Sequence, residues 1–153
     1  MVKFIITSIL GLTSLFVFHP KTQDPLQESI DKGSKVYEDF CVSCHMSYGE
    51  GIKGVYPPLA KSDFLIKNRE ASIHAIKYGQ KGKIVVNHAT YNGYMAPLGL
   101  NDDEVADVMN YITNTWGNKN DKLITKDSYL PNLIPNDGVA SIYKFPNLAS
   151  AVA

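Results

Sequence analysis

The stretch Cys41-Val42-Ser43-Cys44-His45 decides the reading of this chain. Two thiols three positions apart, with an imidazole directly after the second, form the attachment pattern for c-type haem. Each thiol can add to one vinyl group of the porphyrin, giving two thioether links, and His45 then lies under the iron as its proximal ligand. Cys41 and Cys44 are the chain's two cysteines, so no disulfide framework competes for them. A redox-active Cys-x-x-Cys wants a βαβ setting, which the flanking sequence does not offer. A structural zinc site normally needs four ligands, and His74 or His88 would have to complete it.

The iron also needs a ligand on its other face. Met46 adjoins His45 and cannot readily reach the opposite side, while Met109 falls on the apolar stripe of a helix, where packing is its expected role. His74 lies between the core-facing positions Ile73 and Ile76. His88 sits in a loop and is the serious rival. Met95 lies within Tyr91-Asn92-Gly93-Tyr94-Met95-Ala96-Pro97, restricted by glycine and proline, and the intervening chain is long enough to wrap a haem. Methionine is favoured because His/Met is the usual pairing for electron transfer.

Upstream of the motif, Asp24 and Pro25 suit a helix start, with Gln27 placed for a capping box. Ile30, Gly33, Tyr37 and Phe40 then mark one helical face leading into Cys41. Gly33 inside that helix costs about 1 kcal/mol relative to Ala, unless another helix crosses closely there. Downstream, Ser47 to Pro58 reads as an irregular loop. Ser62 and Asn68 are placed to cap short helices, the second stopped by Gly79. Gln80 to Leu100 reads as loop with one apolar run, Ile84-Val85-Val86. The clearest helix spans 102–116: Asn101 and Glu104 form a capping box, Val105, Val108, Met109, Ile112 and Trp116 keep helical spacing, and Gly117 ends it. Beyond it, 118–153 shows no strong periodicity, and either a docked extension or a mobile tail fits.

The 153 residues suffice for one domain. Lys+Arg and Asp+Glu both total 15, which excludes the basic excess of a nucleic-acid binder. Lys3 followed by the uncharged, apolar run Phe4 to Phe18 has the layout of an export signal. No Ala-x-Ala pattern follows, so retention of this segment as a membrane anchor stays open. Residues 1–23 are thus a signal peptide or N-terminal anchor, and the expected location is the periplasm, with attachment to the inner membrane if the segment is kept.

Over residues 28 to 117 the chain resembles the class I monohaem cytochromes c. The motif at 41–45, Tyr56-Pro57-Pro58-Leu59, Tyr91-Asn92-Gly93-Tyr94-Met95 and Asp103 to Trp116 follow the family's order. The resemblance implies an all-α fold, about four helices wrapped around one covalent haem c, with a domain over 24–117 and a C-terminal extension over 118–153. It implies that the N- and C-terminal helices cross at Gly33, with Tyr37, Val108 and Tyr111 beside it. A proline carbonyl, Pro57 with Pro58 second, would accept the proximal histidine's free N–H. Cofactor binding then falls to Cys41, Cys44, His45, Met95 and Pro57, and iron ligation to His45 and Met95. The expected function is one-electron transfer between exported redox partners, respiratory oxidoreductases in particular, rather than catalysis. Two alternatives stand beside it: a haem peroxidase or gas sensor with an open sixth position, and an electron-relay subunit of a membrane oxidoreductase complex.

Overall fold

Helix α1 (Pro25–Phe40) begins where its chemistry places it: Pro25 needs no N–H at the first turn, and the Asp24 carboxylate accepts from Leu26 N–H at 3.1 Å. Gln27 does not close the capping box but donates to Asp31 one turn on. In this computed structural model residues 24–133 are described; residues 1–23, expected to be a signal peptide or N-terminal anchor, and residues 134–153 of the extension lie outside the described residues. The buried face of α1 runs through Ser29, Gly33 and Tyr37, whereas Phe40 is exposed. Cys41 then kinks the chain into the short helix α2 (Val42–His45).

Helix α5 (Asp102–Ile112) carries the complete capping box of Asn101 and Glu104, and crosses α1 at Gly33. A Cβ on Gly33 would stand inside the carbonyl of Asp107 and 2.8 Å from Tyr111 Cβ. The glycine exists for this approach, and its helical cost is offset by contact along both helices. The regular helix stops at Ile112, short of the expected 116. Thr113, Asn114 and Thr115 each donate a side-chain hydrogen bond to the carbonyl four residues back, offering the backbone an alternative to continuing the ladder. Trp116 and Gly117 then turn the chain through positive φ. The ring of Trp116 packs beside Tyr37 and Tyr111, with centroids 4.9 and 5.3 Å away.

Two short helices follow the motif loop, α3 (Asp63–Lys67) and α4 (Arg69–Tyr78). Ser62 caps α3, accepting from Leu65 N–H; Asn68 makes no side-chain cap and donates instead to the Phe64 carbonyl. The segment read as loop from Gln80 is a β-hairpin. Strands β1 (Gln80–Val86) and β2 (Ala89–Met95) pair antiparallel from Gln80 opposite Met95 to Val86 opposite Ala89. Asn87 and His88 connect them, both at positive φ as a two-residue hairpin turn requires. The fold is therefore helix-rich with a two-stranded sheet, not strictly all-α. Asp63 and Asn87 fasten the turn to α3, each backbone N–H donating to the other's side-chain oxygen.

Past Gly117 the described chain docks. Asn118 donates to the carbonyls of Leu59 and Ile112. Ile124 and Tyr129 are buried in the main core with Tyr37, Leu65, Ile73, Val105, Val108 and Met109. Asn110 holds this strap as a peptide group would: its amide donates to the Ile124 carbonyl and accepts from the Ile124 N–H, at 2.8 and 2.9 Å. Helix α6 (Lys126–Leu133) follows, with Pro131 inside it and the Tyr129 hydroxyl donating to the Asp102 carbonyl.

Candidate haem site

The short helix α2 delivers Cys41, Cys44 and His45 to one end of the α1–α5 pair. Both cysteines are free thiols, half-buried. Burial, and secondarily the nearby Cys44, pushes the Cys41 thiol up to about 11. That is the reverse of the depressed pKa that favours thiol–disulfide exchange, which counts against a redox dithiol. Among the described residues, no group of three or more His, Cys, Asp or Glu could hold a metal ion, which leaves a zinc site without its ligand set.

His45 Nδ1 lies 3.0 Å from the carbonyl oxygen of Pro57. A carbonyl can only accept, so Nδ1 carries a proton, and in the neutral ring Nε2 keeps its lone pair. Burial holds the His45 pKa below its ordinary value, against the opposing pull of that hydrogen bond. The ring is thereby kept as a neutral, oriented donor.

The carbonyl's position depends on a loop that doubles back. Gly51 N–H donates to the His45 carbonyl, and Leu59 and Ala60 N–H both donate to the Gly49 carbonyl. A side chain at Gly51 would collide with the carbonyls of Tyr56 and Pro57, and one at Gly49 with the ring of Trp116. Both glycines also hold positive φ. Sequence reading misses them as parts of the site; the signal is present in Tyr48-Gly49-Glu50-Gly51, so close behind the motif. At the loop's start the Tyr37 hydroxyl donates to the Met46 carbonyl at 2.7 Å, and Met46 is turned to φ 63 as the residue after α2.

Met95 ends β2 rather than lying in a loop. Its backbone is pinned by Gly79, where a Cβ would stand 2.6 Å from the Met95 carbonyl and 3.0 Å from Pro97 Cδ. Met95, Cys41, Val42, Leu59 and Leu98 are half-buried and pack against the same core cluster. Met109 is fully buried. His88 sits exposed in the hairpin turn, at the other end of β2 from Met95. His74 rests on α4 with its ring centroid 4.9 Å from that of Tyr78.

Two free thiols, an imidazole with Nε2 available, and a half-buried thioether packed on the apolar core form a donor set that fits haem c. The family model for cytochrome c matches residues 30–116, and the chain belongs to this family, in its class I. Haem c with its iron is its cofactor, and haem-based electron transfer its chemistry. Cytochrome c-552 of Thermus thermophilus is 41% identical over 90 residues, covering 56% of this chain and 68% of that one. A second cytochrome c-552 of the same species matches at 41% identity over 60% of its length. The cytochrome c subunit of the quinone-dependent alcohol dehydrogenase of Gluconobacter oxydans is 31% identical over 90 residues, covering 56% of this chain and 18% of that subunit. Among the described residues no helix is long and apolar enough to cross a membrane.

Proposed function

We propose that this chain carries single electrons between exported redox partners, through a haem c bound by Cys41 and Cys44 and ligated by His45 and Met95. The observation that carries the reading is the 3.0 Å approach of His45 Nδ1 to the Pro57 carbonyl. It fixes the tautomer, leaves Nε2 to a metal and makes the imidazole a stronger donor. When bound, the haem supplies an iron that alternates between Fe(III) and Fe(II). His45 and Met95 would hold the iron in both states, so transfer would need little rearrangement. The Met95 thioether favours the softer ferrous iron, and the surrounding apolar groups limit water, both of which raise the potential. No side chain has to act as acid, base or nucleophile. Residues 24–117 supply the haem ligands, the described part of the extension docks on their core through Asn118, Ile124 and Tyr129, and we place the protein in the periplasm.

The visible spectrum tests this. Oxidised wild type should show the weak sulfur-to-iron charge-transfer band at the red edge, with the haem remaining on the polypeptide in acidic acetone. Met95→Ala should lose the band completely, lower the potential and open the iron to carbon monoxide; Met109→Ala should keep the band. Persistence of the band in Met95→Ala, or its loss only in His88→Ala, would falsify the ligand assignment. Rapid carbon monoxide binding by wild type would move the protein to the sensor or peroxidase class. The likeness to a dehydrogenase's cytochrome subunit favours a second reading, an electron relay inside an oxidoreductase complex. Copurification with a membrane dehydrogenase at fixed stoichiometry would decide for it.

A further inference from the structure

Strand β2 contains a glycine that the polypeptide itself does not require. Residues Tyr91, Gly93 and Met95 share one face of the hairpin, because successive side chains alternate. Their partners across the ladder, Ile84, Gly82 and Gln80, share it too. Ile84, Val86 and Tyr91 on this face are buried, while Tyr94 on the other is 69% exposed. The rung between Ile84–Tyr91 and Gln80–Met95 is Gly82 opposite Gly93. It is bare backbone, roughly 7 Å from each neighbouring rung at strand spacing.

The two glycines have different grounds. Gly82 holds φ 96, where other residues are strained, so its identity has a conformational reason. Gly93 is not among the residues at positive φ. A Cβ on it would meet only the Val55 carbonyl oxygen, at 3.8 Å, an ordinary contact. Neither backbone strain nor a protein neighbour excludes alanine. Glycine weakens a strand interior and otherwise marks close approach of a ligand or another backbone. The nearest backbone, at Val55, stands far enough off to admit a methyl group, and Val55 lies in the loop that carries the Pro57 carbonyl.

We propose that the side-chain-free rung Gly82–Gly93 is a contact platform for the haem, and that Gly93 is a positioning residue whose lack of a Cβ lets the macrocycle edge lie flat against β2, two residues from the ligand Met95. The inference rests on the reading that the haem lies between His45 and Met95. Asn92, exposed beside it on the opposite face, has no such role.

A proton NMR spectrum of the ferrous holoprotein separates the two claims. The Met95 ε-methyl, if ligated, is shifted far upfield by the porphyrin ring current, which tests the ligand alone. The Gly93 α-protons should show their own ring-current shift and cross-peaks to haem substituents, which tests the platform in wild type. In Gly93→Ala the Met95 methyl resonance should move and the charge-transfer band shift or vanish, while Asn92→Ala should leave both in place. Ordinary Gly93 shifts without haem cross-peaks overturn the proposal even if Met95 ligates. A Gly93→Ala holoprotein with an unchanged band and methyl shift overturns it as well.

Discussion

The α1–α5 crossing and the candidate haem cradle share one core, against which Cys41 and Val42 pack, yet they are built on opposite rules. At the crossing, side chains and backbone complete one another. Gly33 is filled by the Asp107 carbonyl, Ser29 donates to Asp107 at 2.5 Å, and Asn110 joins Ser29 to the strap. In the cradle, glycines do the positioning by what they leave out. Gly49, Gly51 and Gly79 let carbonyls or a ring come close, Gly93 is proposed to do the same for the haem, and the apolar groups Val42, Leu59 and Leu98 beside the site are only half-buried. Damage to the first region should therefore appear as lost stability, and damage to the second as a changed spectrum or potential.

Gly33→Leu should have the largest effect. The added side chain meets backbone on a second helix, which cannot rotate away, and overpacking of this kind costs about 3 kcal/mol. Denaturant unfolding of the haem-loaded protein measures it; an unchanged midpoint would remove the crossing from its place in the fold. Next comes Asn110→Leu, which orphans the buried N–H and carbonyl of Ile124. Because the strap can peel away and rehydrate, the expected loss is about 2 kcal/mol, with the charge-transfer band intact. A lost band would show that the strap also shapes the cradle. In Gly51→Ala the positive φ alone costs about 1 kcal/mol, and the collision with the Tyr56 and Pro57 carbonyls adds to it. The added Cβ displaces the Pro57 carbonyl, His45 becomes a weaker donor, and the reduction potential should rise. Voltammetry checks the sign, and a fall in potential would contradict the role given to that carbonyl.

What can be read from the sequence are features with local signatures. The thiol–imidazole motif is contiguous, α5 announces itself through Asn101 and Glu104, and Gly33 stands out as the glycine in an otherwise good helix. The hairpin escapes because its turn is Asn87-His88 rather than a glycine pair, and because β1 opens on Lys81-Gly82-Lys83 without apolar alternation. Only tertiary ties at Asp63 explain how that turn is held. The strap escapes for a different reason. Leu123-Ile124 and Tyr129-Leu130 are two short apolar pairs that show no period, and the docking of Ile124 is set by Asn110, a polar side chain in another helix. Spacing puts Phe40 on the wrong face because it cannot show where α1 leaves the core; Ser29 escapes because a buried hydroxyl looks like a surface one until its partners are known.

The separation of Gly33 from Asp107 has a consequence for assembly. Bringing together positions roughly 74 residues apart costs loop entropy that grows as the logarithm of the loop. On the proposed ligation, one iron joins His45 to Met95 and takes the chain between them out of that loop. The remaining path is about 24 residues, and the closure becomes easier by about 1 kcal/mol. Haem insertion and helix docking would then be linked through the topology of the chain, each lowering the entropic barrier to the other without any direct contact between Gly33 and the iron.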